Sequence, residues 1–135
     1  MFSESIFLTL HRQLQLPDND HWLTVDEQER LAKMRFPKRR QEWLLGRWTA
    51  KKLLLATLQG FSSISMEQLS IENETSGAPF ALCKGARLEG MLSISHRDDL
   101  AVAAWCPKAN IHIGIDLELI EPKSPAFIDD FFSLD

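Results

Sequence analysis

The sequence predicts an α+β fold in a single domain over residues 1–135, a small antiparallel sheet packed with one long helix. Three observations carry that expectation. A helical pattern runs from about Lys38 to Gln59. Short apolar runs bounded by turn residues stand at Ser5–Leu10, Met91–Ile94 and Ala101–Trp105. Ile111–Ile120 then alternates almost perfectly between apolar and other residues. A chain of 135 residues is long enough for one core and too short for two independent ones.

The elements follow in order. Ser5–Leu10 is the opening strand, and the stretch from Leu16 to Asp20 is a loop rich in turn-formers. Thr24 reads as an N-cap with Glu27 as its capping-box partner, opening a helix that runs to about Met34. Pro37 interrupts that helix and fits the first turn of the next. In the long helix Leu44, Trp48, Leu55 and Leu58 recur at helical spacing as a core-facing stripe. Arg40, Arg47 and Lys51 lie off that stripe, and Gly60 closes the helix. Ser62–Leu69 is mixed, at most a helical turn; Glu72–Phe80, with Gly77 and Pro79, is a loop; Phe80–Glu89 carries no strong element. The run Met91–Ile94 gives way to a polar turn at Ser95–Asp99, and Ala101–Trp105 is a second strand-like run ending at Pro107. Ile111–Ile120 is the clearest strand, with His112, Gly114, Asp116 and Glu118 on its polar face. The four tryptophans read as structural, and there is no internal repeat.

A hydrophobic fraction of 44% and a charged fraction of 25% describe an ordinary globular chain. No apolar run approaches the roughly 20 residues of a membrane-crossing helix, and the first residues lack the basic lead and cleavage site of a signal peptide. Cys83 and Cys106 stand in no metal-ligand spacing, and two reduced thiols in a cytoplasmic protein are expected. Net charge is −4, unevenly placed. Nine of the 15 Lys and Arg residues fall between Arg30 and Lys52, whereas Asp116, Glu118, Glu121, Asp129, Asp130 and Asp135 dominate the end. A basic front and an acidic end suit a phosphate-rich ligand that also needs a cation. A solvated helix face is the plainer reading of such a run. Nucleic acid is disfavoured by the acidic end and by the absence of a nucleic-acid motif.

Two constellations carry chemistry. Strand geometry places Asp116 and Glu118 on one side, about 7 Å apart, where their repulsion calls for a cation. Two carboxylates with open positions suit Mg²⁺; a solvent-facing polar row on an edge strand is the alternative. Ser95 and His96 stand together after a buried strand, where hydroxyl and imidazole can bind phosphate oxygens. A hydrolytic triad with Asp98 has poor geometry for three neighbours in one turn, and turn-forming alone is the third reading. Neither GxxxxGK[ST] nor GxGxxG occurs.

These pieces fall into one order: FPKRRQEWLLGRWTAKKLL, SGAPF, LSISHRDDLAVAAW and IGIDLELIEP. That order and its spacing, from about Leu23 to Phe132, strongly resemble the surfactin-type (Sfp-type) 4′-phosphopantetheinyl transferases. The resemblance implies Mg²⁺-dependent transfer of the phosphopantetheine arm of coenzyme A to a serine of an apo acyl or peptidyl carrier protein. It implies Asp116 and Glu118 as metal ligands, and Ser95 and His96 as contacts to coenzyme phosphates. Lys38 or Arg39, with Gly46, Arg47 and Lys51, match the family's coenzyme-binding helix. Gly77-Ala78-Pro79 stands where the family usually has Gly-Lys-Pro, which removes a coenzyme lysine; Lys84, Arg87 or a helix arginine is its candidate replacement. The family's WxxKE motif, the source of a further acid, has no counterpart after the GIDLE segment here. The resemblance is therefore to the first half of a pseudo-dimer, completed by a C-terminal half. A part-site with little activity alone is expected, the alternative being a non-catalytic coenzyme- or phosphate-binding module of the same origin.

Overall fold

The computed structural model describes residues 7–58 and 64–107. Strand β1 (Phe7–Arg12) is followed by a short 3₁₀ turn, then helix α1 (Val25–Ala32) and helix α2 (Pro37–Thr57). Strands β2 (Leu69–Asn73), β3 (Pro79–Cys83), β4 (Ala86–Arg87), β5 (Met91–Arg97) and β6 (Leu100–Cys106) complete it. Among the described residues these strands form two three-stranded antiparallel sheets, β1-β6-β5 and β2-β3-β4. The α+β architecture, a long helix on small antiparallel sheets, is as the sequence predicts. Among the described residues no helix is long and apolar enough to cross a membrane. Cys83 and Cys106 are both free and buried.

Local signals explain the helix starts. The Glu27 N–H donates to Thr24 Oγ1 at 3.2 Å and the Thr24 N–H donates to Glu27 Oε1 at 3.0 Å, so the expected capping box closes α1. Pro37 takes the first position of α2, where its missing N–H costs nothing. Arg40 turns back from α2 and donates to the carbonyls of Leu31 (2.6 Å) and Met34 (3.3 Å), which satisfies the end of α1.

The long helix corrects one expectation. Its buried residues are Leu45, Gly46, Arg47, Thr49, Ala50, Lys51, Leu53 and Leu54, not a stripe on Leu44, Trp48, Leu55 and Leu58. The latter four are partly buried at the flanks of two core clusters. A single apolar stripe describes a helix lying on one layer. Here α2 meets β6, β1 and β5 on one side and β2 on another, and its Trp43, Leu44 and Trp48 pack against the cluster that holds Leu31 of α1, so more than one face is buried.

The strand region also departs from expectation. β5 continues through Ser95 and His96 to Arg97, pairing His96 with Ala101 and Arg97 with Leu100. The turn is confined to Asp98 and Asp99, with Asp98 at a φ of 55°. Polar side chains there suggested a turn, yet they sit on a strand at the end of the sheet among the described residues, where alternation tolerates them. β3 and β4 form a hairpin in the stretch expected to lack strong structure, joined at Lys84 and Gly85, both with positive φ. Ile111–Ile120 lies outside the described residues, as do Ser5 and Gly60.

One glycine is obligatory by space as well as by conformation. Gly90 has a φ of 142°, and a Cβ there would stand 2.4 Å from Cη2 of Trp105. The Trp105 ring, 2% exposed, closes the main core over exactly this backbone stretch.

Candidate functional site

Helix α2 divides the basic cluster into two populations. On the inward side, Lys51 is fully buried, and its ammonium donates to Glu27 Oε1 (2.5 Å), the Trp22 carbonyl (2.9 Å) and the Met66 carbonyl (3.2 Å). All three protons of the ammonium thereby have internal acceptors. Burial holds its pKa below the ordinary lysine value, with Glu27 opposing that shift. Arg47 is also buried: its Nη2 donates to the Ile71 carbonyl (3.1 Å) and to Asn73 Oδ1 (2.9 Å), and its guanidinium stacks over Trp43 at 4.5 Å. Burial pushes its pKa down to about 10, with Glu27 and Glu72 resisting and Arg30 reinforcing, so it stays cationic at neutral pH. Both residues lie off the expected stripe, as the sequence reading has it, yet both are buried. Long side chains on a helix buried on more than one face reach internal oxygens, and the structure engages Lys51 wholly inside the protein.

On the outward side, the start of α2 presents a different surface. The N-cap of α2 is Phe36, whose side chain cannot accept a hydrogen bond, and among the described residues no side-chain cap meets the first-turn N–H groups. Such a terminus carries partial positive charge and free donors. Lys38 and Arg39 follow at once and are exposed. Lys33, Met34, Arg35, Phe36 and Arg39 line a shallow cleft of about 440 Å³, with Phe36 71% exposed. The arrangement suits an anion with an apolar or planar portion.

The second outward feature meets the first along one helix face. Arg39, Glu42 and Gly46 recur at i, i+3 and i+7, a rise of about 10.5 Å from Arg39 to Gly46. At Gly46 the helix crosses β5: a Cβ placed on it would stand 3.0 Å from His96 Nε2 and 3.3 Å from Ile94 Cγ2. Ile94 and His96 therefore share the strand face turned to α2. Ser95, the intervening residue, belongs to the opposite face. The idea of a turn bringing hydroxyl and imidazole together does not hold, because the strand runs through both. Burial against the helix lowers the His96 pKa, opposed by Glu42 and reinforced by Arg47. This favours the neutral ring, which is exposed to solvent.

The remaining expected residues divide similarly. Ala78 is exposed in the loop between β2 and β3, where the Glu74 N–H donates to its carbonyl at 2.8 Å. Arg87 pairs with Glu74 at 2.5 Å and stacks on Phe80 at 4.2 Å, which holds its cation beside that loop. Asp116 and Glu118 lie outside the described residues; among the described ones no group of three or more metal-ligating side chains occurs. Sequence reasoning passed over Phe36, Lys33 and Arg35 as cleft residues and Glu42 as the carboxylate nearest in effect to His96. The i, i+4 spacing from Glu42 to Gly46 was the available signal. Glu27 was recognised only as a capping residue, since its second task, holding Lys51, is long-range.

Comparison with known proteins adds an independent line. No family model matches the chain. It is 30% identical over 110 residues to the 4′-phosphopantetheinyl transferase HetI of Nostoc sp., a match that covers 82% of this chain and 44% of that protein. It is 30% identical over 83 residues to the holo-[acyl-carrier-protein] synthase of Geobacillus sp., covering 60% of this chain and 70% of that one. The chain thus spans less than half the length of HetI and most of the shorter synthase. Among solved structures, the holo-(acyl-carrier-protein) synthase of Bacillus anthracis, determined in complex with CoA (3′,5′-ADP), superposes with a TM-score of 0.62 at 22% identity. That superposition covers 75% of this chain and 92% of the other. The Thermotoga maritima holo-[acyl-carrier-protein] synthase gives a TM-score of 0.60 at 22% identity, covering 75% of this chain and 61% of that one. At this identity the two structures establish the shared fold.

Proposed function

The chain belongs to the 4′-phosphopantetheinyl transferase and holo-[acyl-carrier-protein] synthase family, and on that premise we propose that it acts in transfer of the phosphopantetheine arm of coenzyme A to a serine of an apo carrier protein. The observation that carries the reading is the uncapped, basic start of α2 on the same helix face as the Gly46–His96 contact. Coenzyme A presents several phosphates and an adenine. An exposed cleft with Lys33, Arg35 and Arg39 beside Phe36 offers charge for the former and a flat apolar surface for the latter. Lys38 and Arg39 bind phosphate in this proposal, a ring N–H of His96 donates to a phosphate oxygen, and Arg87 stands in beside Ala78. Ser95, which faces the other side of β5, has a lesser role. Arg47 and Lys51 shape the helix surface from behind rather than touching the ligand. The finer assignment is to the surfactin-type branch, on the GIDLE and SISH motifs, with this chain supplying part of the site.

Asp116 and Glu118 are the proposed holders of Mg²⁺, because two carboxylates two residues apart in an alternating sequence match the hard-oxygen preference of that ion. Mg²⁺, when bound, neutralises pyrophosphate charge. The carrier serine and the C-terminal half of the site are the proposed partners, and the cytoplasm the proposed location. Calorimetric titration with coenzyme A, with and without Mg²⁺, tests the reading. Lys38→Ala or Arg39→Ala is expected to weaken binding about tenfold, the worth of a charge-assisted hydrogen bond. Asp116→Ala is expected to abolish the Mg²⁺ dependence. Absence of binding in the unaltered chain refutes the coenzyme assignment. Binding without transfer to an apo carrier, even after a complementary C-terminal half is supplied, shows a non-catalytic module instead.

A further inference from the structure

We infer that Gly46 is a positioning residue: it is the seat on which the imidazole of His96 rests, and it holds the Nδ1 side of that ring toward the ligand face. The inference rests on the coenzyme reading above for the identity of the ligand, and on geometry alone for the seat.

Gly46 sits inside a helix of 21 residues, where glycine is a poor choice on propensity. It is neither at the helix end nor in a left-handed conformation, since only Gly77, Gly85 and Gly90 among the described glycines have positive φ. Space is therefore the reason for it. The atoms that a Cβ would meet are His96 Nε2 at 3.0 Å, Ile94 Cγ2 at 3.3 Å and His96 Cδ2 at 3.4 Å. Two of these three belong to one edge of one imidazole. That edge, Nε2–Cδ2, lies against the helix, and the opposite side of the ring, with Nδ1, turns away from it. Ile94, two residues earlier on the same strand face, closes one flank of the seat. Glu42, one helical turn before Gly46, and Arg47, next to it, are the charged groups acting on the ring from α2. An exposed histidine on a strand ordinarily samples several rotamers. Contact with bare helix backbone removes that freedom and fixes which nitrogen a phosphate oxygen meets.

A double-mutant cycle on the full chain decides the matter, using Gly46→Ala, His96→Ala and both together. In the His96→Ala background, Gly46→Ala is expected to raise Tm, because alanine favours the helix and the ring is gone. With His96 present, the same substitution is expected to lower Tm or leave it unchanged. Equal Tm changes in the two backgrounds overturn the seat. In NMR titration of the unaltered protein and Gly46→Ala, the His96 imidazole is expected to titrate closer to the ordinary histidine value once displaced toward solvent. An unchanged titration overturns it as well. For the ligand role, Gly46→Ala is expected to weaken coenzyme A about tenfold with His96 present and not at all in its absence. Unchanged affinity there overturns the positioning role. If the unaltered chain binds no coenzyme A, the transferase reading falls while the Tm cycle and titration still judge the seat. Should Gly46→Ala fail to fold, the same cycle is run in an Ile94→Ala background, which removes Cγ2 and the 3.3 Å contact and leaves the His96 contact to be measured.

Discussion

Replacing Glu27 with glutamine tests how much of the fold rests on one buried carboxylate. Both Glu27 and Lys51 have fully buried side chains, and three donors converge on the two carboxylate oxygens. Oε1 accepts from the Lys51 ammonium and the Thr24 N–H, and Oε2 accepts from the Ile71 N–H at 2.7 Å. Through them α1, α2 and β2 are tied at one point. Glutamine keeps the shape but turns one acceptor into a donor, so either Ile71 N–H or the Lys51 side faces an NH₂ group. It also removes the negative charge and leaves a buried ammonium with neutral acceptors only. Breaking a buried pair from one side costs about 3–5 kcal/mol. For a domain of this size that is roughly a 10–15 °C fall in Tm. Urea denaturation of Glu27→Gln, Lys51→Met and the double variant measures it. The double variant is expected to be at least about 1.5 kcal/mol more stable than the sum of the single losses, since the stranded charge is gone. A loss below about 1 kcal/mol for Glu27→Gln, or strict additivity, refutes the claim that the pair is a buried anchor.

Two shorter predictions address other features. His11, paired with Ala101, and His96, also paired with Ala101, stand in one cross-strand row, and burial lowers the pKa of each, with Lys52 adding to the effect at His11. Between the lowered folded values and the ordinary 6.5, the unfolded chain binds more protons, so stability falls as pH drops through that window. His11→Asn is expected to flatten the change in urea midpoint between about pH 7.5 and 5.5; an unchanged slope removes His11 from the account. Gly90→Ala places a methyl 2.4 Å from Trp105 Cη2 at a φ of 142°, and is expected to cost about 3 kcal/mol or more in urea denaturation. A variant as stable as the parent shows that the Trp105 ring has room to move.

Much of the fold was legible because its signals are local. The Thr24–Glu27 capping box and Pro37 fix helix starts within a few residues, and the apolar runs at 91–94 and 101–105 mark two adjacent strands. What escaped was set by partners distant in sequence. β3 and β4 have weak patterns because a short hairpin on the side of a domain needs only Ala81 and Cys83 buried. Its turn is made by Lys84 and Gly85, a pair less conspicuous than Asn-Gly. The stripe on α2 was misplaced for the same reason: a helix with neighbours on several sides buries more than one face, and a period of 3.6 then selects no single one.

The basic cluster shows why a count of charges locates a site only to within a helix. Arg40, Arg47 and Lys51 look equivalent to Lys38 and Arg39 in the sequence, yet each of the three is consumed by oxygens within the fold: the end of α1, the β2 backbone, and Glu27. Their side chains are long enough to cover apolar surface on the way to those acceptors. Lys38 and Arg39 stand in the first turn of α2, beyond the reach of the sheets, and stay exposed. Being buried does not make the inner cations irrelevant to binding. Lys51 and Arg47 hold α2 against α1 and β2, and so fix the direction in which its outer face and its uncapped start point. The same helix therefore spends one side on stability and the other on the ligand, and Gly46 lies where the second side meets β5. A cation moved from one side to the other by a single-residue shift in the helix leaves composition and net charge untouched while exchanging these two roles.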